Sequence, residues 1–235
     1  MSARRVVVFL CAVMAMGAIP DARGQTPASP PVEGNIYSVT YVEVMPPSAT
    51  AALAVLKRYR EAASREDGNL RSEVAQRIGE PHEFVVLAVW RDRAAFEAHA
   101  KGTSSTDMRE RIAAIRNAPT DERVHTALSV GRLESKITHG AMYVVTHVDV
   151  IPPRKDDGIA AVRQLADDSR LHEGNLRFEV VQQINRPNHF TVVEIWKDAQ
   201  ATEAHSMAPA TRQFRDKLAP ATGALYDTRK YKAVD

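Results

Sequence analysis

The chain has 235 residues, 44% of them hydrophobic and 26% charged, with 31 basic side chains against 29 acidic ones and a single cysteine. A formal charge of +2 supplies no clustered positive field, so a polyanion such as nucleic acid is not expected as a partner. The lone cysteine, Cys11, rules out an intrachain disulfide and a paired-cysteine metal site.

In chain order, Arg4 and Arg5 precede an apolar run over 6–19, and Ala22-Arg23-Gly24 then offers small residues of the kind a signal peptidase reads. Residues 1–24 are expected to be a cleaved export signal, which sends the mature protein to the periplasm or outside the cell; an uncleaved anchor is the alternative. The apolar run, about 14 residues, is short for a membrane span, so no stable span is expected after cleavage. The paired arginines suit a twin-arginine signal and an ordinary charged leader alike. Cleavage would remove Arg4, Arg5, Arg23 and Asp21, leaving 28 basic and 28 acidic side chains and a formal charge of zero. It would also remove Cys11, and with it any thiol nucleophile.

Residues 25–35 are rich in proline and small residues and read as a linker. From Ile36 the chain says nearly the same thing twice, 106 positions apart. IYSVTYVEVMPP at 36–47 returns as MYVVTHVDVIPP, EDGNLRSEVAQRI at 66–78 as HEGNLRFEVVQQI, and PHEFVVLAVWRD at 81–92 as PNHFTVVEIWKD. These blocks agree at 7 of 12, 8 of 13 and 5 of 12 positions without a gap, and a repeat of that length is a duplicated domain rather than a solenoid unit. The copies are expected at 36–133 and 142–235, joined by a connection over 134–141.

Within each copy, Tyr37, Val39 and Tyr41 alternate with Ser38, Thr40 and Val42 as a strand does, and Pro46-Pro47 ends it. Leu53, Leu56, Tyr59 and Ala63 follow at helical spacing, answered by Ile159, Val162, Leu165 and Ser169. Gly68-Asn69 and Gly174-Asn175 supply the turn into a second strand, and a third strand ends at Trp90 or Trp196. A short helix carries His99 or His205, and a second carries Met108, Ile112 and Ile115 or Phe214, Leu218 and Ala221. A last strand is expected over 124–133 and 225–234. The order is that of a ferredoxin-like α+β domain, a four-stranded antiparallel sheet with helices on one face. The bare face of each sheet needs a cover, and the sister sheet provides one. The expectation is two tandem ferredoxin-like domains whose antiparallel sheets pack into an intrachain pseudo-dimeric α/β barrel.

The runs V-x-V-x-P-P at 42–47, E-G-N-L-R-x-E-V at 173–180 and F-x-V-V-E-I-W-K-D-x-x-A-x-E-A-H at 190–205 resemble the antibiotic biosynthesis monooxygenase domain of the dimeric α/β barrel superfamily. The resemblance covers nearly all of both copies. It implies oxygenation without metal, flavin or other cofactor, with a small phenolic or quinol compound and O2 as partners. The alternative is a non-catalytic protein of the same fold that binds an apolar small molecule. Haem-degrading relatives place asparagine, tryptophan and histidine where this chain has Thr40 or Thr146, His99 or His205, and Arg109 or Arg215, which disfavours haem degradation.

His99 and His205 occupy equivalent positions on an inward helical stripe and are candidate catalytic bases for a phenolic proton; a helix-end histidine bonded to a carbonyl is the alternative. Trp90 and Trp196 are candidates to wall an aromatic substrate, or are core. Thr40 and Thr146 are candidate substrate contacts. Arg71 and Arg177 either anchor a substrate oxygen or pair with Glu73 and Glu179 at an interface. The copies differ at Tyr41 against His147, Ser72 against Phe178, Ala88 against Glu194 and Phe96 against Thr202. One site has decayed, or each holds something different.

Overall fold

The computed structural model describes residues 34–131, 137, 140–224 and 227–234. The expected export signal, nearly all of the 25–35 linker and most of the 134–141 connection lie outside the described residues. The first copy contains β1 (Ile36–Glu43), α1 (Ala49–Ala63), β2 (Asn69–Arg77), β3 (Glu83–Trp90), α2 (Arg93–Lys101), α3 (Thr103–Ala113) and β4 (Asp121–Ser129). The second repeats the order with β5 (Met142–Asp149), α4 (Lys155–Arg170), β6 (Asn175–Gln183), β7 (His189–Trp196), α5 (Ala199–Met207), α6 (Pro209–Leu218) and β8 (Asp227–Ala233). The last strands differ from the expected 124–133 and 225–234. β4 begins at Asp121, opposite Tyr41, and its ladder with β1 ends at Thr126 opposite Ile36, where the partner strand itself begins. None of the helices among the described residues is long and apolar enough to cross a membrane.

Short-range chemistry sets the turns. Pro46 and Pro152 end the first strand of each copy in a single 3-10 turn, because neither can donate to a ladder. Gly68 and Gly174 sit at φ +79° and +81°, and a Cβ there would lie 2.4 Å from Ala95 Cβ and 2.6 Å from Ala201 Cβ. Glycine is therefore required twice over, by backbone and by space. The carbonyls of these glycines accept the amides of Arg91 and Lys197 at 2.8 Å, tying each turn to the end of the third strand.

All eight strands form one closed barrel in the order β1-β3-β2-β8-β5-β7-β6-β4. Each copy supplies a four-stranded antiparallel sheet, and β2 with β8 and β4 with β6 hydrogen-bond the two sheets edge to edge. Closure leaves no exposed sheet edge, which an isolated copy would have. Strand alternation sends Val39, Val85 and Leu87 inward, where they meet Tyr143, Val145, Val193, Ile195 and Tyr231 of the other copy in one shared core. The opposite faces pack separately: Val42, Leu56, Phe84 and Ile112 under the first copy's helices, and Val148, Val162, Phe190 and Phe214 under the second's.

Arg71 and Arg177 lie on the inner face, and the interface reading is the one the geometry supports. Arg71 Nη2 donates to Glu179 Oε1 and Oε2 at 2.9 and 2.7 Å, and Arg177 Nη1 donates to Glu73 Oε1 at 3.1 Å. Each arginine thus reaches across to the other copy's glutamate, and Tyr143 adds a hydroxyl bond to Glu73 at 3.3 Å. A β-bulge precedes each arginine, between Asn69 and Arg71 and between Asn175 and Arg177. The side chains committed to this quartet are on the far face of the sheet from the helices that carry His99 and His205.

Candidate active site

Both histidines are placed by the same short device. Asp92 and Asp198 follow the third strand and cap α2 and α5, accepting from Ala95 N at 2.8 Å and Ala201 N at 2.7 Å. Two helical turns later, His99 and His205 return over the strand and lie on Trp90 and Trp196, ring centroids 4.3 Å apart in both copies. Both tryptophans are fully buried. Buried beneath the histidines, Trp90 and Trp196 fit the core reading.

Beyond that shared stack the copies part. In the first, His99 Nδ1 lies 2.7 Å from Glu66 Oε2 and Nε2 lies 2.8 Å from the Tyr59 hydroxyl. Burial pushes the Tyr59 phenol up, so it keeps its proton and donates to Nε2, while Nδ1–H donates to the carboxylate. Both ring nitrogens of His99 are spent on protein partners. Phe96 fills the neighbouring space against Ile36, Ala88 and Trp90.

In the second copy Leu165 replaces Tyr59, Thr202 replaces Phe96, His172 replaces Glu66 and Glu194 replaces Ala88. Two aromatic rings are lost, and a cavity of about 180 Å³ is lined by Val144, Thr146, Leu165, Glu194, Thr202, His205, Ser206, Thr211, Arg215, Thr228 and Lys230. His205 Nδ1 lies 2.9 Å from His172 Nδ1. Its Nε2 faces Glu194 Oε2 at 3.4 Å and Thr211 Oγ1 at 3.5 Å, both long for a formed bond and open to a ligand. Glu194 Oε2 accepts from Trp196 Nε1 at 2.9 Å, whereas Trp90 Nε1, facing Ala88, has no hydrogen-bond partner. Thr146 bonds Thr228 at 3.1 Å across the strands. Thr40, its counterpart, is buried opposite Glu122.

A sequence profile of the family described as antibiotic biosynthesis monooxygenase matches residues 35–111 and 141–217, one match in each copy and together more than half of the chain. The chain belongs to the antibiotic biosynthesis monooxygenase family. It is similar to "Putative monooxygenase YcnE" of Bacillus subtilis (strain 168), 27% identical over 60 residues, which is 26% of this chain and 63% of that relative. The matched segment thus spans less than two thirds of YcnE. Among solved structures, a monooxygenase-titled protein of Fusobacterium nucleatum superposes with a TM-score of 0.76 at 18% identity, over 86% of this chain and 93% of that one. A protein titled anthrone oxidase-like superposes with a TM-score of 0.69 at 14% identity, over 86% and 92%. At those identities the likeness is one of fold.

Two tandem antibiotic biosynthesis monooxygenase domains thus share a scaffold but not a site. Of the positions singled out from sequence, His205 and Thr146 line the cavity. Trp196 supports it from below, and Arg71 and Arg177 belong to the barrel interior. Glu194 and His172 were not among the sequence candidates, although Glu194 stood in the list of divergent positions.

The electrostatics of the cavity follow from burial. Glu194 is pushed up from 4.5 to about 7 by burial, opposed by the Trp196 bond and the Arg215 charge. His205 is pushed down from 6.5 to about 4 by burial, reinforced by His172 and Arg215. Between those values both are uncharged, and Glu194 changes state near neutrality. The unfolded chain releases the Glu194 proton near 4.5 and the folded chain near 7, so this group's contribution is present below 4.5 and lost as pH rises through 7. His205 acts oppositely, its contribution being lost as pH falls through about 4. Glu194→Gln keeps an acceptor for Trp196 but cannot ionise. Its melting temperature should therefore rise relative to the parent chain between about pH 5 and about pH 8. A difference that stays the same at both pH values would contradict this assignment.

Proposed function

We propose that the second copy carries the reaction site of a cofactor-independent monooxygenase acting on a small phenolic or quinol compound. The observation that carries this reading is the Nε2 of His205, which has only long contacts to Glu194 and Thr211 and faces a cavity, whereas the Nε2 of His99 is taken up by Tyr59. A base is most effective when its pKa lies near the working pH, and Glu194, at about 7, meets that requirement, while His205 stays neutral beside it and accepts the phenolic hydrogen bond at Nε2. The pair takes the first phenolic proton, and the resulting anion supplies electrons to O2. For a quinol, one oxygen atom enters the ring at a C–H position and the other leaves as water. The quinol becomes a hydroxyquinone, and this four-electron oxidation balances the reduction of O2. The abstracted proton ends on the departing water. His172, half-buried and bonded to His205, lies where it can hold that proton until the water departs.

Oxygen uptake by the purified protein across a panel of quinols and catechols tests the reading. Uptake should exceed each compound's own autoxidation by about tenfold or more. Rates equal to autoxidation across the panel would sink it, and tight binding without turnover would favour a binding protein instead. Export directed by residues 1–24 belongs to the same proposal, supported by the short apolar run behind Arg4 and Arg5. The N-terminus of protein recovered from the cell envelope fraction should lie near residue 25, and an intact leader on cytoplasmic protein would contradict it.

A further inference from the structure

Resting on that reading, we propose that the second-copy site selects a single-ring hydroxylated aromatic acid. Its phenolic oxygen would lie at His205 and Glu194, and its carboxylate at Arg215 and Lys230. The cavity is graded in depth. Val144, Thr146, Leu165, Glu194, Thr202, His205 and Thr211 are buried, whereas Arg215, Thr228 and Lys230 are exposed at its rim. The end that handles protons is therefore sealed, and the end that meets solvent carries two cations. Lys230 Nζ pairs with Glu203 at 4.0 Å, and Glu203 does not line the cavity. Arg215 donates Nη1 to the Ser206 carbonyl at 3.2 Å, which fixes the guanidinium and leaves Nη2 for a ligand oxygen.

The duplication gives an internal control for the charge. In β8, Thr228 stands opposite Thr146 and Lys230 opposite Val144. The same places in β4 hold Glu122, opposite Thr40, and Val124, opposite Ser38. The cavity between His205 and β8 thus goes with the exchange of an acid and an apolar residue for a hydroxyl and a cation. Volume sets the second limit. A cavity of about 150 Å³ holds one benzene ring, while pockets for larger ligands run to roughly 300–1,000 Å³. About 180 Å³ accommodates one ring with small substituents and is too small for three fused rings.

Anaerobic calorimetry on the purified protein separates this proposal from the oxygenase reading, because binding is measured without turnover. The probes are 2,5-dihydroxybenzoate, uncharged hydroquinone and tricyclic anthrone. The acid should bind about tenfold or more tighter than hydroquinone, and anthrone should not compete. Lys230→Val, which installs the first copy's residue on an exposed strand position, and Arg215→Gln should each narrow the acid's advantage by about fivefold or more. Equal affinity for acid and hydroquinone, displacement by anthrone, or an advantage untouched by both substitutions would each overturn the proposal while leaving the oxygenase reading intact. Selective binding of the acid with no oxygen uptake would uphold the proposal and sink the oxygenase.

Discussion

Replacing His205 by alanine is expected to lower the rate of oxygen uptake at saturating substrate by about 10²–10⁴-fold, the range associated with loss of a positioned general base. His99→Ala is expected to leave that rate within about threefold of the parent, because its cost falls on the fold rather than on the chemistry. The two side chains lie on equivalent tryptophans with the same ring separation, so a difference between the variants cannot come from the stack itself. It comes from the second nitrogen. Nε2 of His99 is held by Tyr59, and Nε2 of His205 has only long contacts within its cavity. Removing His99 strands the buried Tyr59 hydroxyl, and the loss of that bond should cost about 1–3 kcal/mol of stability. Rates and melting temperatures measured on the same preparations separate the two effects. Equal loss of activity in both variants would mean that both copies work.

The second large effect is expected inside the barrel. Arg177→Met removes one cation from a quartet in which Glu179 is almost fully buried and Glu73 partly buried, leaving two carboxylates to share Arg71. Breaking a buried pair from one side costs about 3–5 kcal/mol, because the partner charge stays buried without compensation. For a chain of this size that is a fall in melting temperature of roughly 6–20 °C. Removing Glu73 as well, in Arg177→Met with Glu73→Leu, should recover most of the loss, since replacing both partners by apolar groups is close to neutral. A double variant as unstable as the single one would show that the arginine acts through packing alone. The quartet pairs each copy's arginine with the other copy's glutamate, so it ties register between the halves to barrel closure.

The fold was legible because the duplication states its requirements twice. Alternation in β1, the proline pairs, the glycines at positive φ and the capping aspartates recur in both copies because each is a backbone necessity. The same logic hid the site. Positions shared by the copies report scaffold, and the Trp–His stack is common to both, so by itself it does not tell the two copies apart. What distinguishes the cavity at His205 is the set of exchanges at four positions: Tyr59 to Leu165, Phe96 to Thr202, Ala88 to Glu194 and Glu66 to His172. Two of these were visible as divergence, but their effect depends on which side chains meet across elements far apart in sequence. Tyr59 lies 40 residues from His99, and no local pattern shows that its hydroxyl closes the histidine's free nitrogen. Arg71 and Arg177 offered two readings from strand periodicity alone. The choice between them needed the closure of β2 on β8 and β4 on β6, which brings each arginine to the other copy's glutamate.

On the reading proposed above, one chain holds one reaction site, in its second copy. The most direct measurement is a crystal structure of the protein grown anaerobically with 2,5-dihydroxybenzoate. One molecule should bind per chain, between His205 and Glu194 on one side and Arg215 and Lys230 on the other, with Tyr59 and Phe96 still in place beside His99. A molecule bound at His99 or within the barrel, with the cavity at His205 empty, would contradict it.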